Sequence, residues 1–151
     1  VAVLLASQYP LLVNKIMIID GAGIKPRHGL GYYLKVAKYK KLKRQVLRKK
    51  KDASVLEKFG SNDYKALSHM MKQTFINVVN QDLKKEASKI KTQILLFWGE
   101  KDTETPLYMA KKYKRVLKDS KLVVVKNAGH FAYLDNFELF YDCFKKFILQ
   151  D

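Results

Sequence analysis

An α/β fold with about three parallel strands, flanking helices and a helical insertion is predicted by three features of this 151-residue sequence. Three short apolar runs, Val13 to Ile19, Ile94 to Trp98 and Leu122 to Val125, each give way to glycine or polar residues. Continuous apolar runs of this length suit strands buried on both faces of a parallel sheet. Between the second and third runs, Leu107, Ala110, Tyr113, Val116 and Leu117 recur at helical spacing, with Pro106 placed to open the helix. That stretch reads as a strand-helix-strand crossover. Between the first and second runs, from Ile24 to about Ile90, strand signals stop and helical patterns replace them.

The first strand ends at Asp20-Gly21, an ordinary turn signal. Gly21-Ala22-Gly23 and Gly29-Leu30-Gly31 punctuate its exit, and helices are expected over Tyr32 to Lys51, Ser54 to Phe59 and Asp63 to Leu83. Gly60-Ser61-Asn62 supplies a break, with Ser61 or Asn62 as the next cap. Met70, Met71, Phe75, Val78 and Val79 form an apolar face that is expected to pack as core. His28 and His69 have no carboxylate or cysteine at metal-ligand spacing, so no metal and no cofactor is expected. Trp98 closes the second strand, and its size suits packing under the loop that follows. Asp135 and Asn136 precede the last helix as natural caps. In that helix Phe137, Phe140, Tyr141, Phe144, Phe147 and Ile148 make an apolar stripe, which leaves Cys143 as a packed thiol.

Composition adds two constraints. One cysteine excludes an intramolecular disulfide framework, and neither a signal peptide nor a membrane-length apolar run is read. The default compartment is therefore reducing and cytosolic. The formal charge is +16, and Lys35 to Lys51 carries many lysines and arginines with no acid among them. Such a field attracts nucleic acid or an anionic membrane surface. No zinc finger or Gly-x-x-Gly clamp accompanies it, and the only aromatics interleaved near it are Tyr32, Tyr33 and Tyr39. The run therefore reads first as a solvated helix face, and nucleic acid is not the expected partner.

Asp102 and His130 both fall just past the carboxyl end of a predicted strand, the edge of an open parallel sheet where ligands bind. The surrounding motifs are Gly99-Glu100-Lys101-Asp102-Thr103-Glu104-Thr105-Pro106 and Asn127-Ala128-Gly129-His130-Phe131. With this Gly-x-x-Asp-x-x-x-Pro loop and Gly-His turn, Ile94 to Ile148 resembles the C-terminal part of the α/β-hydrolase superfamily. That family orders its triad Ser, then Asp or Glu, then His. The resemblance implies that His130 is the general base and that Asp102 fixes its tautomer and stabilises the imidazolium. Asp20, at the end of the earlier strand, is the alternative acid. The Asp102 loop is the fuller match to the family pattern.

The resemblance extends to the first residues. Val1 to Pro10 resembles the helix after the family's nucleophile elbow, and Val13 to Ile19 the next strand. The elbow serine is then expected about four or five positions before Val1. No serine in the chain has the elbow context. Ser7 and Ser68 lie in helical patterns, Ser54 and Ser61 in polar connections, Ser88 before a strand and Ser120 in a turn. The family's dehalogenase and epoxide-hydrolase branches use an aspartate nucleophile, which stays open here. The expected organisation is a core piece over 1–24, a helical cap over 25–90 and a second core piece over 91–151.

Two function classes follow. One is part of a hydrolase acting on an ester, amide or related bond, inactive alone, with a small-molecule substrate. The other is a non-catalytic basic module that binds a polyanion or a partner chain. An unpaired sheet edge is expected either to receive a complementing N-terminal half or to self-associate.

Overall fold

The computed structural model describes residues 1–56, 58, 59 and 65–149. The break expected at Gly60-Ser61-Asn62 and the helix start at Asp63 lie outside these residues. Two compact units divide the chain: Val1–Pro26 with Val79–Asp151, and Arg27–Val78.

The first unit is built on three parallel strands, β1 (Lys15–Ile19), β2 (Gln93–Gly99) and β3 (Ser120–Val125), in the order β1-β2-β3. Ile18 pairs with Leu96, which in turn pairs with Leu122, and Gly99 pairs with Val125. The central strand alternates strictly. Ile94, Leu96 and Trp98 enter one core with Ile16 and Ile18, while Phe97 enters a second with Val125 and half-buried Met17 and Ile19. Burial on both faces explains why β2 is a continuous apolar run.

Helices cover both faces. The first core receives Val3 and Ala6 of α1 (Ala2–Gln8) and Met109, Ala110 and Tyr113 of the crossover helix, Leu107–Val116. The helix starts where expected: the Pro106 carbonyl accepts the Met109 amide at 2.7 Å. The second core receives Phe140 and Cys143 of the terminal helix, Phe137–Leu149. The Phe140 ring meets Phe97 edge-on, with centroids 5.6 Å apart. Cys143 is a half-buried free thiol.

The chain leaves β1 through Gly23, whose φ of +119° is open to glycine. A Cβ there would also lie 2.1 Å from the Tyr113 hydroxyl. That hydroxyl donates to the Ala22 carbonyl at 2.9 Å, and burial pushes its pKa up to about 12, with Asp82 adding to the rise.

The second unit holds α2 (Leu30–Leu47), a short 3₁₀ turn at Ala53–Leu56 and most of α3 (His69–Val79). Helix α2 stops before Lys51. Lys49 takes φ +54°, and the amides of Lys49 and Lys50 reach back to the carbonyls of Val46 and Gln45, a Schellman-type closure. The helix expected through Leu83 is likewise interrupted. Ser68 Oγ accepts the Met71 amide at its start, and after Val79 an Asx contact from Lys84 N to Asp82 begins a separate turn, α4 (Lys84–Ala87). Leu83, Ala87 and Ile90 are buried in the first core, within the first compact unit.

The apolar stripe of α3 is only partly covered, with Phe75 and Val79 half-buried. Met70, Met71 and Val78 are 84%, 51% and 52% exposed. Regular spacing identifies a helix face, but a unit this small has too little chain to cover every face it presents.

Candidate active site

Parallel pairing of Gly99 with Val125 brings the carboxyl ends of β2 and β3 side by side. Two loops grow from these ends, and backbone bonds join them. The Glu100 amide donates to the Val125 carbonyl at 3.0 Å and the Lys101 amide to the Ala128 carbonyl at 2.9 Å. The Asn127 amide donates to Glu100 Oε2 at 3.0 Å, with Asn127 in the left-handed region at φ +61°, which asparagine tolerates. Gly99 is needed at this seam, because a Cβ there would lie 2.0 Å from the Gly129 carbonyl oxygen.

The first loop wraps around Asp102. Its Oδ1 accepts the amides of Glu104 at 2.8 Å and Thr105 at 2.9 Å, the Asx turn that a loop aspartate is suited to make. Its Oδ2 faces the Thr105 hydroxyl at 2.7 Å and Nδ1 of His130 at 3.0 Å. Beneath the loop, fully buried Trp98 donates its indole N–H to the Thr105 carbonyl at 2.6 Å.

Two carboxylates hold the second loop. Asp135 accepts the Gly129 amide at 2.7 Å instead of capping the terminal helix, which is capped by Asn136 through the Leu139 amide at 3.1 Å. Asp20 Oδ2 accepts the Ala132 amide at 3.0 Å, next to the short helix Ala132–Asp135, and its Oδ1 accepts the Gly99 amide at 2.8 Å. Both oxygens of Asp20 are thus occupied by main chain. No hydrogen bond joins Asp20 to His130 among the described residues. Asp102 is the acid that the structure brings to the imidazole.

The electrostatics of the two acids differ. Burial pushes both carboxyls up. For Asp102, hydrogen bonds from His130, the Thr105 hydroxyl and the amides of Thr105 and Glu104 outweigh that cost and hold it below the ordinary 3.8. For Asp20, burial prevails over the amides of Gly99 and Ala132, helped by the charge of Asp102, and its pKa rises. An ionised carboxylate can only accept, so the proton between Asp102 and His130 resides on Nδ1. The Asp102 side chain is 0% exposed and that of His130 34%: a sealed acid beneath an imidazole that solvent or a substrate can reach.

Thr105 is the member of this cluster that motif reading passed over. Its hydroxyl lies between Asp102 Oδ2 and the Asp20 carbonyl, 2.9 Å away, and the Asp-x-x-Thr spacing was the available signal. An open concavity lined by Leu12, Val13, Asn14, Lys15 and Ile148 lies at the amino end of β1 and borders neither Asp102 nor His130. Among the described residues no three His, Cys, Asp or Glu side chains are grouped to hold a metal ion.

The family model described as TAP-like protein, from the α/β hydrolases, matches residues 66–147, over half of the chain. The AB hydrolase superfamily protein YisY of Bacillus subtilis (strain 168) is 33% identical over 97 residues. That alignment takes in 64% of this chain and 36% of YisY, so the chain spans about a third of its curated relative. Among solved structures, the α/β hydrolase MGS-M2 from a Medee basin deep-sea metagenome superposes with a TM-score of 0.66 at 20% identity, over 99% of this chain and 61% of its own. The meta-cleavage product hydrolase CumD of Pseudomonas fluorescens IP01 gives 0.62 at 13% identity, over 97% and 60%. These two likenesses speak for the fold, and with the family match to the segment that carries the Asp102 and His130 loops they establish that the chain belongs to the α/β-hydrolase superfamily.

Proposed function

We propose that this chain supplies the acid and base of a hydrolase that cleaves an ester, amide or related acyl bond, with a serine nucleophile contributed from outside these residues. His130 Nε2 takes the serine proton as oxygen attacks the carbonyl and returns it to the leaving group. Asp102 keeps the imidazole in the tautomer that makes this possible and stabilises the imidazolium. The observation that carries the reading is the 3.0 Å contact between His130 Nδ1 and a fully buried, four-times hydrogen-bonded Asp102.

Four of the described serines support an external nucleophile. Ser7, Ser88 and Ser120 donate their hydroxyls to the carbonyls of Leu4, Lys85 and Leu117, and Ser68 Oγ sits at the start of α3. None of these is hydrogen-bonded to His130. In this reading the segment 25–90 supplies the family's helical cap, and the outer edge of β1 is where the nucleophile-bearing segment joins the sheet. The chain alone is inactive, and its single unbridged cysteine suits a reducing, cytosolic setting.

Intact mass after treatment with a fluorophosphonate probe tests the proposal. The chain alone is expected to give no adduct. Joined to an elbow-bearing segment it is expected to give one, lost on His130→Ala. A stoichiometric adduct on a serine of the isolated chain would overturn the reading.

A further inference from the structure

Helix α2 carries a charge that no ion pair answers among the described residues. From Gly21 to Lys51 the sequence has no Asp or Glu, whereas Lys35 to Lys51 holds ten Lys and Arg. None of these ten is ion-paired among the described residues. The unit Arg27–Val78 as a whole contains fourteen Lys and Arg against three acids.

The helix also has two distinct faces. Val36, Tyr39, Leu42 and Val46 are half-buried and recur at helical spacing; Tyr39 lies on the Phe59 ring with centroids 5.4 Å apart. On the opposite face Leu30, Tyr33, Leu34, Ala37, Lys41, Arg44 and Arg48 follow the same spacing and are exposed. This outer face changes character along the axis. Its first turns present Leu30, Tyr33 and Leu34, which are 77%, 59% and 63% exposed. Its last turns present Lys41 and Arg44, followed by Arg48. At 1.5 Å per residue the change from Leu34 to Lys41 takes about 10 Å.

We propose that the outer face of α2 is a docking surface for an anionic lipid bilayer. The Leu30–Leu34 end enters the boundary of headgroups and acyl chains, and the end from Lys41 to Arg48 lies among the anionic headgroups. Exposed Leu30, Tyr33 and Leu34 supply apolar contact and the cations from Lys41 to Arg48 supply attraction to anionic headgroups, the two terms on which interfacial binding depends. Tyrosine suits the same depth, since its ring is apolar and its hydroxyl wet. The docking is peripheral: among the described residues no helix is long and apolar enough to cross a membrane.

A nucleic acid would use the cations but leave the leucines without a role. Tyr32 is stacked on His28 at 3.5 Å and 9°, with Tyr33 edge-on to both rings, so the tyrosines are engaged with one another and with His28. Leu30 and Leu34 offer no face for stacking. A lipid surface employs both halves of the helix.

The test is co-sedimentation of the whole chain with vesicles of phosphatidylcholine, alone or mixed with phosphatidylserine. Binding to the mixed vesicles is expected to exceed binding to the neutral ones by more than about tenfold and to weaken with added salt. Lys41→Glu with Arg44→Glu should abolish most of that preference. Leu30→Ser with Leu34→Ser should weaken vesicle binding several-fold and leave binding to a single-stranded oligonucleotide unchanged. Circular dichroism confirms that each variant keeps its helices. Independently of those variants, Leu34→Trp fluorescence should be quenched by brominated acyl chains. Equal binding to neutral vesicles, or no quenching at that tryptophan, overturns the proposal. Vesicle binding that ignores the leucine changes and is fully displaced by the oligonucleotide overturns it in favour of a polyanion site.

Discussion

The buried carboxylate of Asp20 accepts the backbone amide of Ala132 at 3.0 Å, tying the end of β1 to the turn that carries His130. Its other oxygen takes the Gly99 amide at 2.8 Å. Two buried donors in different elements therefore depend on one side chain. Asp20→Ala is expected to destabilise the chain by about 2–6 kcal/mol, because each orphaned buried N–H costs about 1–3 kcal/mol. Asp20→Asn keeps one acceptor oxygen and should cost less. Urea midpoints at unchanged slope measure both, and a midpoint for the alanine variant equal to that of the parent would show that water replaces the carboxylate.

Asp20 and Asp102 should make opposite contributions to the pH dependence of stability. Burial holds Asp20 above 3.8 when folded, so its contribution is full below 3.8 and is lost as the pH rises through its folded value. Burial also works against ionised Asp102, but the His130 and Thr105 hydrogen bonds leave it below 3.8. Its contribution is present above 3.8 and is lost as the pH falls through its folded value. Asp102→Asn should therefore flatten the fall in stability below 3.8, and Asp20→Asn the fall on the way up from it. Urea midpoints from about pH 2 to about pH 6 check the signs, and identical profiles for the two variants would contradict them.

Gly99 and Gly129 invite a matched pair of substitutions. A Cβ on Gly99 would meet the Gly129 carbonyl oxygen at 2.0 Å and the Ala128 carbonyl oxygen at 2.7 Å, both main-chain atoms that cannot swing aside. A Cβ on Gly129 finds only Asp135 Oδ2, at 3.9 Å. Gly99→Ala should cost about 1–3 kcal/mol, the range for forced overpacking, and should shift the His130 ring resonances. Gly129→Ala should stay within about 0.5 kcal/mol of the parent. Nitrogen-edited NMR of the imidazole distinguishes the two, and equal perturbation would mean that the seam between the loops is softer than its contacts imply.

These contacts mark where sequence reading succeeds and where it stops. The three strands were legible because β2 is buried on both faces and its neighbours are at least half-buried at their apolar positions, and continuous apolar runs record that directly. The meeting of Asp102 and His130 was legible because both follow strand ends in a crossover, and parallel strands bring such ends together. Thr105, Asp135 and the partners of Asp20 were not. Asp20 bonds to residues 79 and 112 positions away, and no local pattern encodes an acceptor for a distant amide. Asp135 looked like a helix cap because the residue type suits one, and only the fold shows it turned to Gly129. Met70 and Met71 fail for a complementary reason: periodicity tells which side chains share a face, not whether anything lies against it.

Thr105 offers the sharpest test of how the acid is held. Its hydroxyl has one proton and two acceptors, Asp102 Oδ2 at 2.7 Å and the Asp20 carbonyl at 2.9 Å. Thr105→Val keeps the shape and removes that donor, leaving Asp102 with its two amides and His130. The Asp102 carboxyl should then titrate at a higher pH than in the parent, because burial, which pushes it up, is less fully opposed. The loss should also cost about 1–3 kcal/mol, as expected when a buried acceptor loses its partner. Thr105→Ser retains the hydroxyl and should restore the low titration point while recovering most of the stability. Carbon-detected NMR titration of the aspartate carboxyls reads the shift. If valine left the Asp102 titration in place, the amides and His130 alone would suffice to hold the acid, and Thr105 would serve only to join the loop to β1.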